Sequence, residues 1–586
     1  MTDHRPWFAS YPESVPKTLE PYPEVSLYSH LEEAARRFPA APAVAFWLPR
    51  APVRKTLTYV QLAEQVDRFG RVLASLGIRK GDRVGLILPN SPHFVIGYYA
   101  ALRLGAVAVG NNPLYTEREL SHQLSDAGIE VAVTLDVLYP LVAKVRDEVG
   151  LREVIVGSVT DFMRFPLNRL APRQIKKHEL AAGHPWPPVP PGAKVRWWKD
   201  VMGQSLPEVP VAEVDAKSDL AGLIYTGGTT GLSKGAMLTH FNLVSNVRQG
   251  AAWFPDLEDG REGVMCIIPF FHSYGMTVAM NVGIYKAAKL VLMPQFDLAA
   301  TLKVIEKERP TLFPGVPRLY IAINEAKETP GYDLTSIKAC LSGAATLPRA
   351  VAEKFARITG SQVAEGYGLT ETSPITHANP IYGKRKEGSI GLPIPDTDCR
   401  VVDLEDWTKD VEPGQEGELI VSGPQVMRGY FNKPDETEGM LKTDPDGRLW
   451  LLTGDIAKMD DEGYFFIVDR KKDMIIVSGF NVYPTDIEQV LYRHPKIEKV
   501  SVVGIPDETT GEAVKAFIVL KEGQTATVEE IRTFARDPRY GLTGYRAPKL
   551  IEFRESLPET LVGKVLRRKL VEEEKAKAGS SPGEPA

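Results

Sequence analysis

The densest chemistry in this sequence lies in YTGGTTGLSKG at 225–235, where three glycines, three threonines and one lysine fall within ten residues. Those types suit a cradle for a polyphosphate. Glycine lets backbone N–H groups converge on an anion, hydroxyls add donors, and lysine adds a point charge. The same composition also describes a flexible glycine turn. A Walker A loop is excluded, because it needs Gly-Lys-Ser/Thr, and here Ser233 precedes Lys234 and Gly235 follows it.

The elements that must hold such a loop can be read from periodicity. LAGLIY, immediately before it, reads as a strand. In Thr58–Leu76, apolar Leu62, Val66, Phe69, Leu73 and Leu76 recur at steps of three and four, which predicts a helix capped by Thr58. RVGLILPN (83–90) reads as a strand, SPHFVIGYYAALRLG as a helix and AVAVG as a short strand. Strand and helix alternating in this way predict an α/β fold with largely parallel sheets. A change to shorter, more polar segments after residue 469 marks a domain boundary. The expected organisation is a large N-terminal domain (1–469), a small α+β C-terminal domain (470–575) and a disordered tail (576–586).

Bulk properties narrow the function. A chain of 586 residues is too long for one core. Its 43% apolar and 25% charged residues are those of a soluble globular protein, and a net charge of −5 argues against a general nucleic-acid binder. Cys266, Cys340 and Cys399 show no CxxC spacing, so neither a zinc site nor a disulfide framework is expected, and a reducing cytoplasm fits. The apolar run Phe94–Leu102 is far shorter than the roughly 20 residues of a spanning helix. The polar, proline-broken N-terminus is not read as a signal peptide.

YTGGTTGLSKGAMLTH (225–240) resembles the signature loop of the adenylate-forming enzymes, the superfamily of acyl-CoA synthetases, peptide-synthetase adenylation domains and firefly luciferase. PFFHSYG (269–275), LSGAATLP (341–348), EGYGLTET (365–372), LLTGDIA (451–457), DRKKDMIIVSGFNVYP (469–484) and LPETLVGKVLRRKL (557–570) continue the likeness in the expected order. NNPLYTERELSHQL and LTGYRAPKLIEF are similar to bacterial long-chain fatty-acyl-CoA ligases. The resemblance implies a reaction of fatty acid, ATP and CoA giving acyl-CoA, AMP and diphosphate through an acyl-adenylate, with Mg²⁺ offsetting the repulsion between two anions.

The resemblance also assigns roles. Thr226, Gly227, Gly228, Thr229, Thr230, Gly231 and Lys234 hold the phosphates, with Thr226 and Glu371 as the magnesium-linked pair. Gly366, Tyr367 and Thr370 belong to the adenine and α-phosphate site, with Tyr367 along the base. Asp455 and Arg470 are the ribose binders, and a carboxylate accepts two vicinal hydroxyls well. His272 lies beside the substrate carboxylate. Lys564 is brought by the mobile small domain to the reacting groups. Lys472 is the hinge, and Ser478, Gly479 and Phe480 line the path of CoA. Taken singly, Glu371 reads as a solvated helix-start acid, Asp455 as a turn residue, His272 as a packing residue and Lys564 as one charge of a basic helix end.

Several alternatives stand beside the long-chain ligase. They are a peptide-synthetase domain, an acyl-AMP ligase without CoA, an aryl or medium-chain acyl-CoA ligase, a luciferase-type oxygenase and a decayed binding protein. Ala344-Ala345 stand where many relatives carry a further glycine. The stretch 160–200 interleaves Phe162, Met163, Phe165, Leu167 and Leu170 with Arg164, Arg169, Arg173, Lys176 and Lys177, which predicts a peripheral membrane contact at the cytoplasmic face. A plain basic loop is the other reading of that stretch. The oligomeric state is left open.

Overall fold

The structure is a computed structural model. It describes residues 5–48, 51–163, 189, 192, 194–226, 233–507, 509–537, 539, 542, 544–559 and 565–579, with backbone only at 51–55 and 578–579. The chain divides into two compact units, one of residues 1–228, 232–398 and 421–451, the other of residues 229–231, 399–420 and 452–586.

Among the described residues, three sheets lie wholly within the first unit. The largest runs in the order Val195–Trp197, Glu153–Gly157, Val131–Leu135, Arg83–Ile87, Val107–Asn111, Leu220–Tyr225 and Gly235–Thr239. Every neighbouring pair in it is parallel except the last. That antiparallel step follows from the short connection at 226–234, because a parallel return needs a crossover of a dozen or more residues. Two four-stranded sheets complete the unit, one containing Pro42–Leu48 and one containing Gln362–Gly368.

The helices follow the expected periodicity. Tyr59–Ser75 begins at Thr58, whose hydroxyl accepts from the Gln61 N–H while the Gln61 side chain accepts from the Thr58 N–H, a complete capping box. Its face of Leu62, Val66, Phe69 and Leu73 is buried. The helix Pro92–Arg103 is buried at every position. It packs on Tyr59–Ser75 and on the strands Arg83–Ile87 and Val107–Asn111, and the apolar run Phe94–Leu102 suits a helix enclosed on all sides.

In the second unit, Phe480–Val482, Ile475–Val477, Gly511–Leu520 and Ile497–Asp507 form a sheet in that order, with Leu550–Phe553 added beside Gly511–Leu520. Ile475, Val502 and Ile518 of its strands share a core with Ile487 and Ile531 of the helices Pro484–Leu491 and Val528–Ala535.

Two expectations are corrected here. The C-terminal helix runs Arg567–Gly579, so residues 576–579 are helical and not part of a disordered tail. The helix-forming Ala576 and Lys577 extend it, and the Lys577 ammonium pairs with Glu574 at 2.7 Å and Glu552 at 3.2 Å. Residues 580–586 lie outside the described residues. At the start of the basic stretch, Phe162 and Met163 are each only 4% exposed. Phe162 sets its ring edge-on against His93, 4.8 Å between centroids, so these two side chains serve the core and not a lipid surface. Arg164 to Lys177 lie outside the described residues.

Candidate active site

The glycine-rich loop leaves the strand Leu220–Tyr225 and returns into Gly235–Thr239. Its neck is closed by the Thr226 N–H donating to the Lys234 carbonyl at 2.9 Å. The Tyr225 hydroxyl donates to Asp126 at 2.6 Å, and its ring lies so close to Gly235 that a Cβ there would sit 3.1 Å from Cζ. Glycine at 235 thus leaves room for the Tyr225 ring at the loop exit. His122 Nε2 meets the Ser233 carbonyl at 3.0 Å. Gly227, Gly228, Thr229, Thr230 and Gly231 lie outside the described residues, as does Lys564.

Lys234 points its ammonium at Glu436 and lies 5.2 Å over the ring of Tyr430. Glu371 is 8% exposed, in the short 3-10 turn Thr370–Thr372. Its Oε1 accepts from the Tyr430 hydroxyl at 2.5 Å, and its carbonyl accepts from the Met427 N–H at 2.8 Å. Glu371 is therefore not the solvated helix-start acid that it resembles in isolation. The single-residue reading missed Tyr430, although GYFNKPDET (429–437) carries it in plain view.

The segment around Thr370 is shaped by glycine. A Cβ at Gly366 would lie 2.9 Å from Leu341 Cδ1, and one at Gly368 only 1.8 Å from the Pro374 carbonyl oxygen. Tyr367 is half-buried, its ring edge-on to His377 at 5.8 Å. The Thr370 hydroxyl lies 3.3 Å from that of Ser273, which brings the Thr370 segment against the neighbour of His272. His272 itself is exposed, so it is not an enclosed packing residue. The loop before it is pinned by the buried Asn90, whose Nδ2 donates to the carbonyls of Cys266 at 3.0 Å and Ile268 at 2.9 Å while its Oδ1 accepts from the Phe270 N–H at 2.8 Å.

Two further features of this unit stand out. Burial pushes the Glu365 carboxyl up to about 8, opposed only by the Leu347 N–H. Ala344 adopts φ +69°, the left-handed backbone that favours glycine, so the substitution noted in the sequence keeps a glycine-like conformation at a cost of about 1–2 kcal/mol.

In the second unit, Asp455 and Arg470 are cross-strand partners in Leu449–Met459 and Phe465–Arg470. Asp455 is 2% exposed and takes the Arg470 guanidinium on Oδ1 at 2.8 Å. Just before it, Gly454 at φ +68° turns its N–H to Glu418 at 3.1 Å, and Glu418 also holds Lys471 at 2.8 Å. Lys472 is exposed, inside a turn whose Asp473 N–H returns to the Arg470 carbonyl at 3.0 Å. Ser478 and Gly479, at φ +52° and +82°, make the two-residue turn of a hairpin closed by Val477 and Phe480. Positive φ at both central positions is the type I′ geometry. Phe480 is exposed and stacks on Tyr545 with centroids 4.6 Å apart.

The comparisons with known proteins follow the same outline. A profile of AMP-binding enzymes matches residues 31–431, and one of the AMP-binding enzyme C-terminal domain matches residues 486–564. A long-chain-fatty-acid–CoA ligase of Bacillus subtilis is 45% identical over 98% of this chain and 99% of its own. One from Yersinia pestis is 40% identical over 97% and 98%. Among solved structures, ATP-bound MatB from Rhodopseudomonas palustris superposes with a TM-score of 0.78 at 28% identity, covering 94% of this chain and 98% of that one. With both profiles in sequence order and relatives matched nearly end to end, the chain belongs to the AMP-binding enzyme family, whose members form adenylates.

Proposed function

We propose that this protein is a long-chain fatty acid–CoA ligase. It joins a fatty acid to CoA with cleavage of ATP to AMP and diphosphate, through an acyl-adenylate. The observation that most supports the chemistry is the meeting of Lys234 and Glu371 on one side chain, Tyr430. It sets a cation and a carboxylate together at the exit of the phosphate loop.

In this reading Thr226, Lys234 and the loop between them bind the polyphosphate, with lysine supplying charge and backbone amides supplying geometry. Glu371 and Thr226 are a carboxylate and a hydroxyl, hard oxygen donors that fit magnesium, which takes few protein ligands and shares its other positions with water and phosphate. The ion, when bound, offsets the charge that separates the fatty carboxylate from the α-phosphorus. Gly366, Tyr367 and Thr370 hold the adenine and α-phosphate, and His272 orients the acid. Asp455 accepts the ribose hydroxyls, with Arg470 holding it in place. The small domain, 470–575, turns about Lys472 between the half-reactions, so that Lys564 serves adenylation while Ser478, Gly479 and Phe480 serve the thiol.

The test is product analysis with palmitate, ATP, Mg²⁺ and CoA. AMP, diphosphate and palmitoyl-CoA are expected. ADP and phosphate would sink the assignment, and stable acyl-adenylate that ignores CoA would favour the acyl-AMP ligase.

A further inference from the structure

We infer that Tyr430 is a positioning residue for adenylation, one side chain that sets both the carboxylate of Glu371 and the ammonium of Lys234. The inference rests on the proposed metal role of Glu371 and adds a residue to it.

Tyr430 is 4% exposed, and its backbone leaves it little freedom. The segment 427–431 runs beside the start of Gly235–Thr239. Arg428 N–H donates to the Met237 carbonyl at 3.0 Å, Met237 N–H to the Gly429 carbonyl at 2.8 Å, and Phe431 N–H to the Gly235 carbonyl at 2.8 Å. At its other end, Met427 N–H donates to the Glu371 carbonyl at 2.8 Å. The same stretch of backbone is therefore bonded to the exit of the phosphate loop and to the acid. Thr437 closes it from the far side, with its hydroxyl accepting the Tyr430 N–H at 2.8 Å. Gly429, at φ +142°, lies so near Thr437 that a Cβ would fall 2.6 Å from its methyl group.

Within that frame the phenol works at both ends. Its hydroxyl donates to Glu371 Oε1 at 2.5 Å, which fixes the orientation of the carboxylate. Its ring face carries the Lys234 ammonium at 5.2 Å, and the nearby cation draws electron density from the ring and strengthens the hydroxyl as a donor. Glu436, with half its side chain exposed, holds the same ammonium, and an exposed partner of this kind is readily exchanged for a polyphosphate. The lysine is thus kept in place over Tyr430 before ATP arrives.

The test uses the full-length protein with Tyr430→Phe, Tyr430→Leu and Glu371→Gln. Binding of Mn²⁺ with a non-hydrolysable ATP analogue is read by electron paramagnetic resonance. Tyr430→Phe should weaken Mn²⁺ binding by roughly 10–100-fold, the usual size of losing a partner of a metal ligand. Tyr430→Leu should in addition raise the dissociation constant of the metal-free analogue, because Lys234 loses its seat. Both variants should consume supplied acyl-adenylate and CoA within about twofold of the parent rate, which separates a positioning loss from a folding defect. If Glu371→Gln weakens Mn²⁺ binding and Tyr430→Phe does not, the role of Tyr430 is overturned. If neither does, the metal reading falls and the inference with it.

Discussion

At the scale of single residues, buried charge makes the sharpest predictions. Asp455 is enclosed and paired, so Asp455→Asn keeps its shape while removing the charge that faces Arg470. A hydrogen bond to a charged group contributes about 1.5–3 kcal/mol, so KM for ATP should rise about tenfold or more in diphosphate-release assays. An unchanged KM would remove Asp455 from the ribose site. Lys564→Ala should slow acyl-adenylate formation on the order of 10²-fold, as for loss of one electrostatic stabiliser, and spare thioester formation from supplied adenylate. Glu365 predicts a stability effect. Its folded carboxyl is raised by burial from 4.5 to about 8, so the folded chain binds that proton more tightly than the unfolded chain. The stability it contributes is complete below 4.5 and is lost as pH rises toward about 8. Glu365→Gln should therefore flatten the fall in melting temperature across that window. Parallel melting curves for parent and variant would contradict it.

At the scale of elements, backbone conformation decides what can be replaced. Ala344 sits at φ +69° in an exposed turn, where glycine has no Cβ to strain. Ala344→Gly should stabilise the protein or leave it unchanged, against the usual loss on introducing glycine, by up to about 1 kcal/mol in denaturant midpoints. Gly479 presents the opposite case. Among the described residues, no atom beyond its chain neighbours lies within 4 Å of a Cβ placed there, so Gly479→Ala is expected to suffer only the cost of φ +82°, about 1–2 kcal/mol. The damage should fall on the hairpin that carries Phe480, slowing the CoA step while adenylation continues. Equal slowing of both steps would speak against the hairpin's part in CoA binding.

At the scale of the whole molecule, the proposed turn of the small domain about Lys472 joins the half-reactions. Lys472→Pro restricts the hinge and the residue before it, so acyl-adenylate should form and accumulate while its transfer to CoA falls on the order of 10²-fold. Single-turnover measurement of each step checks this, and transfer at the parent rate would move the hinge elsewhere. Among the described residues no helix is long and apolar enough to cross a membrane. With Phe162 and Met163 buried, the proposed surface contact rests on Phe165, Leu167 and Leu170 and on the basic residues from Arg164 to Lys177 interleaved with them. Sedimentation with anionic vesicles should then fall when those residues become serine, and unchanged sedimentation would leave the stretch as a loop.

By itself, the sequence determined the local architecture and the class of chemistry. The capping box of Thr58 and Gln61 closes within one helical turn, the buried helix Pro92–Arg103 announces itself by the apolar run Phe94–Leu102, and the loop at 225–235 carries its chemistry in consecutive residues. Such features need no distant partner. Only the tertiary structure decided how the pieces meet. Tyr430 reaches Glu371 across 59 positions, and Asn90 reaches the backbone before His272 across as many as 180. Those bonds exist because strand register and glycine clearances bring the segments together, and no spacing along the chain encodes that register. The apolar residues at 162–163 make the same point from the other side. Burial in a core and insertion among lipids draw on one hydrophobic effect, so a run of types could not distinguish them, and the ring of Phe162 against His93 did.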